Sequence, residues 1–229
     1  MVTFELSNRL KTCLVYLAGI EKIADIGTDH AYLPCYGILN GFLKTAIAAD
    51  VVEGPLKMAA KTIEKYNLTN NVELRLGSGL SILSPGEVNG VVIAGMGGKL
   101  ISSLIEADLE VAKSMKRLVL QANVDAAHLR EALMGWGFEI TAESIILEDG
   151  KYYEIMVAQP VMNPVTYSDL ELAFGPALLK NVHEKAFQNY WRYRLLKQEA
   201  ILSRLPSGHP KFETVRQRIH QIKGVLKDD

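Results

Sequence analysis

Five short apolar runs, at residues 23–26, 46–49, 72–76, 91–94 and 118–120, are each closed by an acidic, amide or glycine residue and followed by a stretch of helical periodicity. This alternation constrains the fold more than any other feature. Strands rich in alanine and β-branched residues, separated by helices, build βαβ units, and the resulting parallel sheet is covered on both faces. Ahead of the first run, Leu6, Leu10, Leu14 and Leu17 recur at helical spacing, with Ser7 placed to start that helix. Pro34 and Pro55 fall where first helical turns are expected, and there a missing N–H costs least. After a helix around residues 126–136, the segments 138–147 and 152–158 read as strands joined at Asp149-Gly150, a tight hairpin signal that makes the last pair antiparallel.

The pattern stops near Gln159-Pro160 and Asn163-Pro164, so residues 1–160 are expected to form the sheet domain and residues 161–229 a small helical one. In the latter, Val182, Ala186, Tyr193, Leu196 and Ala200 make one predicted seam and Val215, Ile219, Ile222 and Leu226 another. The breaker from Pro206 to Pro210 separates them, which predicts an antiparallel, coiled-coil-like hairpin. Charge divides the chain at the same place. Residues 161–229 carry 11 Lys and Arg against 7 Asp and Glu, net +4, while residues 1–160 are net −5, within a chain total of −1. A basic appendage on an acidic domain suits a phosphate backbone, although a solvated helical hairpin has the same composition. Aromatic and basic residues interleave at 190–194, and Lys180, Lys185, Arg192, Arg194 and Lys197 are the candidate RNA contacts.

A hydrophobic fraction of 48% supplies a real core. The cysteines Cys13 and Cys35 form neither a disulfide framework nor a metal-binding pair, and both read as small buried apolar groups in a reducing compartment. Glu5, Asn8, Arg9 and Lys11 interrupt the apolar N-terminal residues, so no signal peptide is expected and no run reaches transmembrane length. The expectation is a cytoplasmic protein with no membrane partner and no metal. Its oligomeric state is left open, a monomer being favoured.

The first strand runs into the sequence IADIGTDHAYLP at residues 23–34. Here Asp25 ends the strand and Gly27 lets a nucleoside ligand approach the backbone, but the later glycines of a phosphate-binding fingerprint are absent. S-adenosylmethionine (SAM) carries a sulfonium and an amino-acid tail instead of a pyrophosphate, and carboxylates near such a turn attract it. The plain alternative for Asp29 and His30 is a structural Asp turn. Asp50 closes the second strand, with Val51 after it, where an acidic residue takes ribose hydroxyls. Gly77 and Ser78 follow the third strand, and Ala94-Gly95-Met96-Gly97-Gly98 follows the fourth. So many glycines remove side chains where methyl donor and acceptor must meet. The fifth strand ends at Gln121-Ala122-Asn123, where Asn123 either bonds a base or the cofactor or caps the next helix. A parallel sheet closed by an antiparallel hairpin is, by analogy of fold alone, more usual in SAM-dependent methyltransferases than in nicotinamide-binding domains. The expected class is therefore α/β, a Rossmann-like class I methyltransferase sheet.

Taken together, ADIGTDHAYLP, the acid after the second strand, GSGL, AGMGG with Leu100-Ile101, LQAN with Leu129-Arg130, and LEDGKYYEI resemble the bacterial TrmK family. The resemblance spans essentially the whole chain. It departs from the family pattern at Ala122, where the family motif has proline. It implies SAM-dependent methylation of N1 of the adenosine at tRNA position 22, with SAM as cofactor and tRNA as partner. Under it, the candidate catalytic residues are Asp29, His30, Tyr32 and Asn123. Asp29 would accept from the exocyclic amine or offset developing charge, and His30 and Tyr32 would shape the pocket. The candidate cofactor residues are Asp25, Gly27, Thr28, Asp50, Val51, Gly77, Ser78, Ala94, Gly95 and Met96. Which of Asp29, His30 and Tyr32 meets SAM and which meets adenine stays open. The rival readings are a methyltransferase on another nucleobase or a small amine, and a non-catalytic RNA-binding protein.

Overall fold

The computed structural model describes residues 4–226; residues 1–3 and 227–229, the outer ends of the two expected regions, lie outside the described residues. Five parallel strands, β1 (Lys22–Ile26), β2 (Thr45–Asp50), β3 (Val72–Leu76), β4 (Gly90–Met96) and β5 (Arg117–Ala122), are followed by β6 (Phe138–Glu148) and β7 (Lys151–Pro160). They form one sheet in the order β3-β2-β1-β4-β5-β7-β6. β7 runs antiparallel to both β5 and β6. The hairpin turn places Asp149 and Gly150 at φ 48° and 72°, the left-handed pair that a tight two-residue turn requires. The strand order reverses between β1 and β4, so their carboxyl ends open the crevice where α/β sheets bind ligands.

Alternation along the strands divides the core between two faces. Val91, Ile93, Leu118 and Leu120 pack with Ile101 and Ile105 of α4 (Gly98–Glu106), Val111 and Ala112 of α5 (Leu109–Ser114), and Leu129 and Leu133 of α6 (Ala126–Gly135). Val92 and Val119 pack on the other face with Cys13, Leu14 and Leu17. Cys13 and Leu14 belong to α1 (Asn8–Tyr16), which Ser7 starts by accepting the Leu10 amide. That face continues over α2 (Tyr32–Leu39) and α3 (Glu53–Lys65), whose first turns hold Pro34 and Pro55. Burial pushes the Cys13 and Cys35 thiols up to about 12, so both stay protonated and behave as apolar groups.

The C-terminal helices are α7 (Asp169–Phe174), α8 (Lys185–Leu202) and α9 (Phe212–Val225). The end of α9 returns to the first half of α8, where Ile222, Val225 and Leu226 pack with Phe187 and Trp191. One predicted seam is corrected. Leu196 is 67% and Tyr193 37% exposed, whereas Phe187, Tyr190 and Trp191 are buried. Val182 precedes α8 altogether. The larger aromatic side chains turn inward because they bury more surface, and they do so against the sheet edge at Ile145 as well as against α9. The seam on α9, with Ile219 and Ile222 buried, is as expected.

This junction also holds a buried ionic cluster. Arg130 of α6, 1% exposed, donates from Nε to Glu143 at 2.7 Å, from one terminal nitrogen to Glu154 at 2.5 Å and from the other to the Leu172 carbonyl at 3.2 Å. The Ala177 amide donates to Glu143 at 2.9 Å, and the Tyr190 hydroxyl donates to Glu154 at 2.7 Å. Each carboxylate oxygen has a donor, so the cluster joins α6, β6, β7 and α8 with no oxygen left unpaired.

Candidate active site

At the carboxyl end of β1 the backbone turns with Gly27 at φ 75°, and a Cβ there would lie 2.1 Å from the Met96 methyl. The Gly27 and Thr28 amides both donate to the Ala49 carbonyl, at 2.8 and 2.9 Å. A phosphate loop aims such amides at its ligand; here they are spent on β2. His30 and Ala31 follow at φ 60° and 53°, left-handed values that side chains other than glycine avoid. Asp25 is buried, and Thr28 donates to its carboxylate at 2.7 Å. Burial pushes the Asp25 carboxyl up to about 6, with the Thr28 hydrogen bond and the Arg9 charge opposing. Asp29 is exposed, 3.2 Å from His30 Nε2. The His30 ring stacks on Tyr32, with centroids 5.0 Å apart and planes 6° from parallel. Tyr32 also meets Phe4, which packs on Tyr36 and Tyr66, so this ring is held between its neighbours.

At the end of β2, one Asp50 oxygen accepts the Val52 amide at 2.8 Å, and the Asp50 carbonyl accepts the Gly77 amide at 3.0 Å. Val51, Val52 and Leu76 stand 66%, 56% and 56% exposed beside it, an apolar rim at the edge of the crevice. Ser78 is exposed next to Gly77.

Between these ends and β5 lies the glycine-rich loop. The register of β4 and β5 shifts between Ala94 and Met96, bulging Gly95 out at φ 83°. Asn123 donates an amide hydrogen to the Gly95 carbonyl at 2.7 Å, and the Asn123 backbone amide donates to the Met96 carbonyl at 2.8 Å. The Gly98 amide donates to the Val124 carbonyl, and a Cβ at Gly98 would fall 2.3 Å from the Asp125 carbonyl oxygen. The two loops therefore lie backbone to backbone. Asn123 does not cap α6, whose cap residue is Asp125.

Two residues beneath this surface escaped the sequence reading. Gln121 is fully buried; its oxygen accepts from Arg9 at 2.5 Å and from the Gly95 amide at 3.0 Å, and its amino group donates to the Asn123 oxygen at 2.9 Å. Arg9 also faces Glu148 at 3.8 Å and lies over Tyr153. The available signals were a polar residue on the inward face of a central strand, and a cation one helical turn before the buried Cys13.

The candidate RNA residues do not gather in one place. Arg194 and Lys197 line a groove of about 470 Å³ with Asn123, Lys151, Tyr152, Tyr153 and Tyr193. Lys180, Lys185 and Arg192 are exposed and do not line that groove. Among the described residues, no helix is long and apolar enough to cross a membrane, and no three His, Cys, Asp or Glu side chains converge as metal ligands.

A model of the TrmK family, described as tRNA (adenine(22)-N(1))-methyltransferase, matches residues 23–224. The tRNA (adenine(22)-N(1))-methyltransferase of Bacillus subtilis strain 168 is 36% identical, over 99% of each chain. Among solved structures, Streptococcus pneumoniae Sp1610 in complex with S-adenosyl-L-methionine matches with a TM-score of 0.89 at 35% identity, covering 97% of this chain and 100% of that one. TrmK of M. capricolum in complex with S-adenosyl-homocysteine matches with a TM-score of 0.86 at 28% identity, covering 98% and 100%.

Proposed function

We infer, on the premise that the chain belongs to the TrmK family of tRNA (adenine(22)-N(1))-methyltransferases, that it transfers a methyl group from SAM to N1 of adenosine 22 in tRNA. The observation that carries this reading is the turn after β1, whose amides are consumed by Ala49 while a buried carboxylate, Asp25, stands behind them. Such a turn cannot cradle a pyrophosphate, and it fits a ligand whose positive charges are a sulfonium and the ammonium of an amino-acid tail. Asp25, Gly27 and Thr28 would hold that tail, Asp50 the ribose hydroxyls, and Val51 with Gly77 and Ser78 the adenine. Ala94, Gly95 and Met96 would close over the remainder.

When bound, SAM supplies an electrophilic methyl group on a sulfonium. The acceptor needs little activation, because N1 of adenine is unprotonated at neutral pH. The protein therefore has to position the base and stabilise the charge it gains. Asp29 is exposed at the crevice and is assigned to accept from the exocyclic amine or offset that charge. His30, stacked on Tyr32, is assigned to the pocket wall, with Tyr32 holding it in place. Since the target adenine must leave its stack, Arg194 and Lys197 are assigned to the tRNA backbone beside Asn123. The reading places the enzyme in the cytoplasm, where buried thiols such as Cys13 and Cys35 stay reduced.

The test is methyl transfer from labelled SAM to a tRNA transcript and to its position-22 A→G variant, with the modified base mapped. Label at N1 of adenosine 22 in the first and none in the second is expected. Equal labelling of both would overturn the site assignment, and labelling of neither would overturn the activity.

A further inference from the structure

The hydrogen bonds around Gln121 determine which way round two carboxamides sit. The Gln121 oxygen lies within hydrogen-bond distance of two groups that can only donate, an Arg9 guanidinium nitrogen and the Gly95 amide. An amino group could accept from neither, so the orientation follows from chemistry. The Gln121 amino group is thereby turned toward Asn123, which must offer its oxygen, at 2.9 Å. The Asn123 amino group is then turned toward the Gly95 carbonyl, which can only accept, at 2.7 Å. Arg9 is kept in place in turn by Glu148 and Tyr153.

A carboxamide offers two lone pairs and two N–H donors. At Asn123 the protein uses one of each, on an exposed side chain at the crevice. What remains is one acceptor beside one donor, in a fixed order. Asn meets adenine in that pattern along the N6-amine and N7 edge. This edge is the one that leaves N1 unblocked, whereas a pairing along the Watson–Crick edge would occupy the atom to be methylated. Guanine presents two acceptors there and matches neither order.

We propose that Gln121, oriented by Arg9, is a positioning residue that fixes the flip of the Asn123 carboxamide, so that Asn123 reads the N6/N7 edge of the acceptor adenine and leaves N1 free. The proposal rests on the adenine-methylating reading above and adds to it which edge is read and what sets the reader.

The experiment uses full-length enzyme, tRNA carrying adenosine or 7-deazaadenosine at position 22, and the variant Gln121→Glu. Replacing N7 by carbon removes the acceptor. It also makes N1 more basic, so an intrinsic chemical effect would speed the reaction. Wild-type enzyme is expected to show kcat/KM about tenfold lower on the deaza substrate, the order of one lost hydrogen bond. In Gln121→Glu the carboxylate keeps the Arg9 and Gly95 contacts but cannot donate to Asn123. The Asn123 oxygen then meets an acceptor in either orientation, the new carboxylate in one and the Gly95 carbonyl in the other, so the flip is no longer fixed. The preference for adenosine over its deaza analogue is expected to fall to near one while SAM affinity stays within about twofold. A merely structural role for Gln121 would lower both rates together and leave the ratio intact. Equal wild-type rates on the two substrates would overturn the edge assignment, and an unchanged ratio in Gln121→Glu would overturn the role of Gln121. Failure of the underlying reading would show separately, as no label in unmodified tRNA, and would overturn the proposal with it.

Discussion

Among the described residues, two buried polar clusters lie on opposite faces of the β5–β7 region, and they differ in what they leave unused. Around Arg130, each oxygen of Glu143 and Glu154 has a donor and all three guanidinium nitrogens donate within the cluster. Around Gln121, the chain of hydrogen bonds runs outward and ends on an exposed amide with a donor and an acceptor to spare. A closed cluster holds elements together; one that ends at the crevice can meet a ligand. Strand alternation produces both. Gln121 points to the α1 face, where Arg9 meets it, while Glu154, paired with Ala122, points to the α6 face, where Arg130 meets it.

The closed cluster gives the largest expected effect. Arg130→Met leaves two carboxylates buried without their cation, and a loss of about 3–5 kcal/mol is expected in urea or thermal unfolding. If stability barely changes, the cluster is not what joins the C-terminal helices to the sheet.

Asp25 comes next, because it is buried yet stands at the ligand crevice. Burial raises its pKa from the ordinary 3.8 to about 6, so folding favours the protonated form more than the unfolded chain does. The stability this contributes is complete below about pH 4 and is lost as pH rises through about 6. Asp25→Asn should therefore gain unfolding free energy relative to wild type between pH 4 and 7, by up to about 3 kcal/mol in urea unfolding, and level off above. A pH-independent difference would mean that Asp25 is better solvated than its burial implies.

A smaller effect is expected at the groove. Arg194→Ala and Lys197→Ala should each weaken tRNA binding several-fold, by about 1 kcal/mol, and reduce the salt slope by about one per lost phosphate contact. Lys180→Ala and Lys185→Ala, outside the groove, should do less. Equal losses at all four positions would mean that tRNA spans the whole helical surface, and the groove would lose its special role.

Much of this architecture was legible in the sequence because it rests on local signals. Strand runs, the helix after Ser7 and the Asp149-Gly150 turn need only period and turn chemistry, and each is present. The crevice followed from where strands end, and Asp25, Gly27, Asp50, Gly95 and Asn123 stand at those ends. What could not be read depends on tertiary choice. Arg9 and Gln121 are 112 residues apart, and nothing in either neighbourhood names the other. On α8, heptad-like spacing at Tyr193 and Leu196 competed with the larger aromatics at Phe187, Tyr190 and Trp191, and burial decided for the aromatics. Tyr32 read as a pocket residue, yet its ring is shared with Phe4 as well as His30, which only the packed structure reveals.

The central claim is that the outward end of the Gln121 cluster serves the chemistry and does not serve cofactor binding. The direct measurement is single-turnover methyl transfer to tRNA by Asn123→Ala at saturating SAM and tRNA, beside SAM affinity from calorimetry. The account predicts a rate about 100-fold below wild type, the scale of a misplaced acceptor, with SAM affinity within about twofold. A near wild-type rate, or a loss explained wholly by weaker SAM binding, would contradict it.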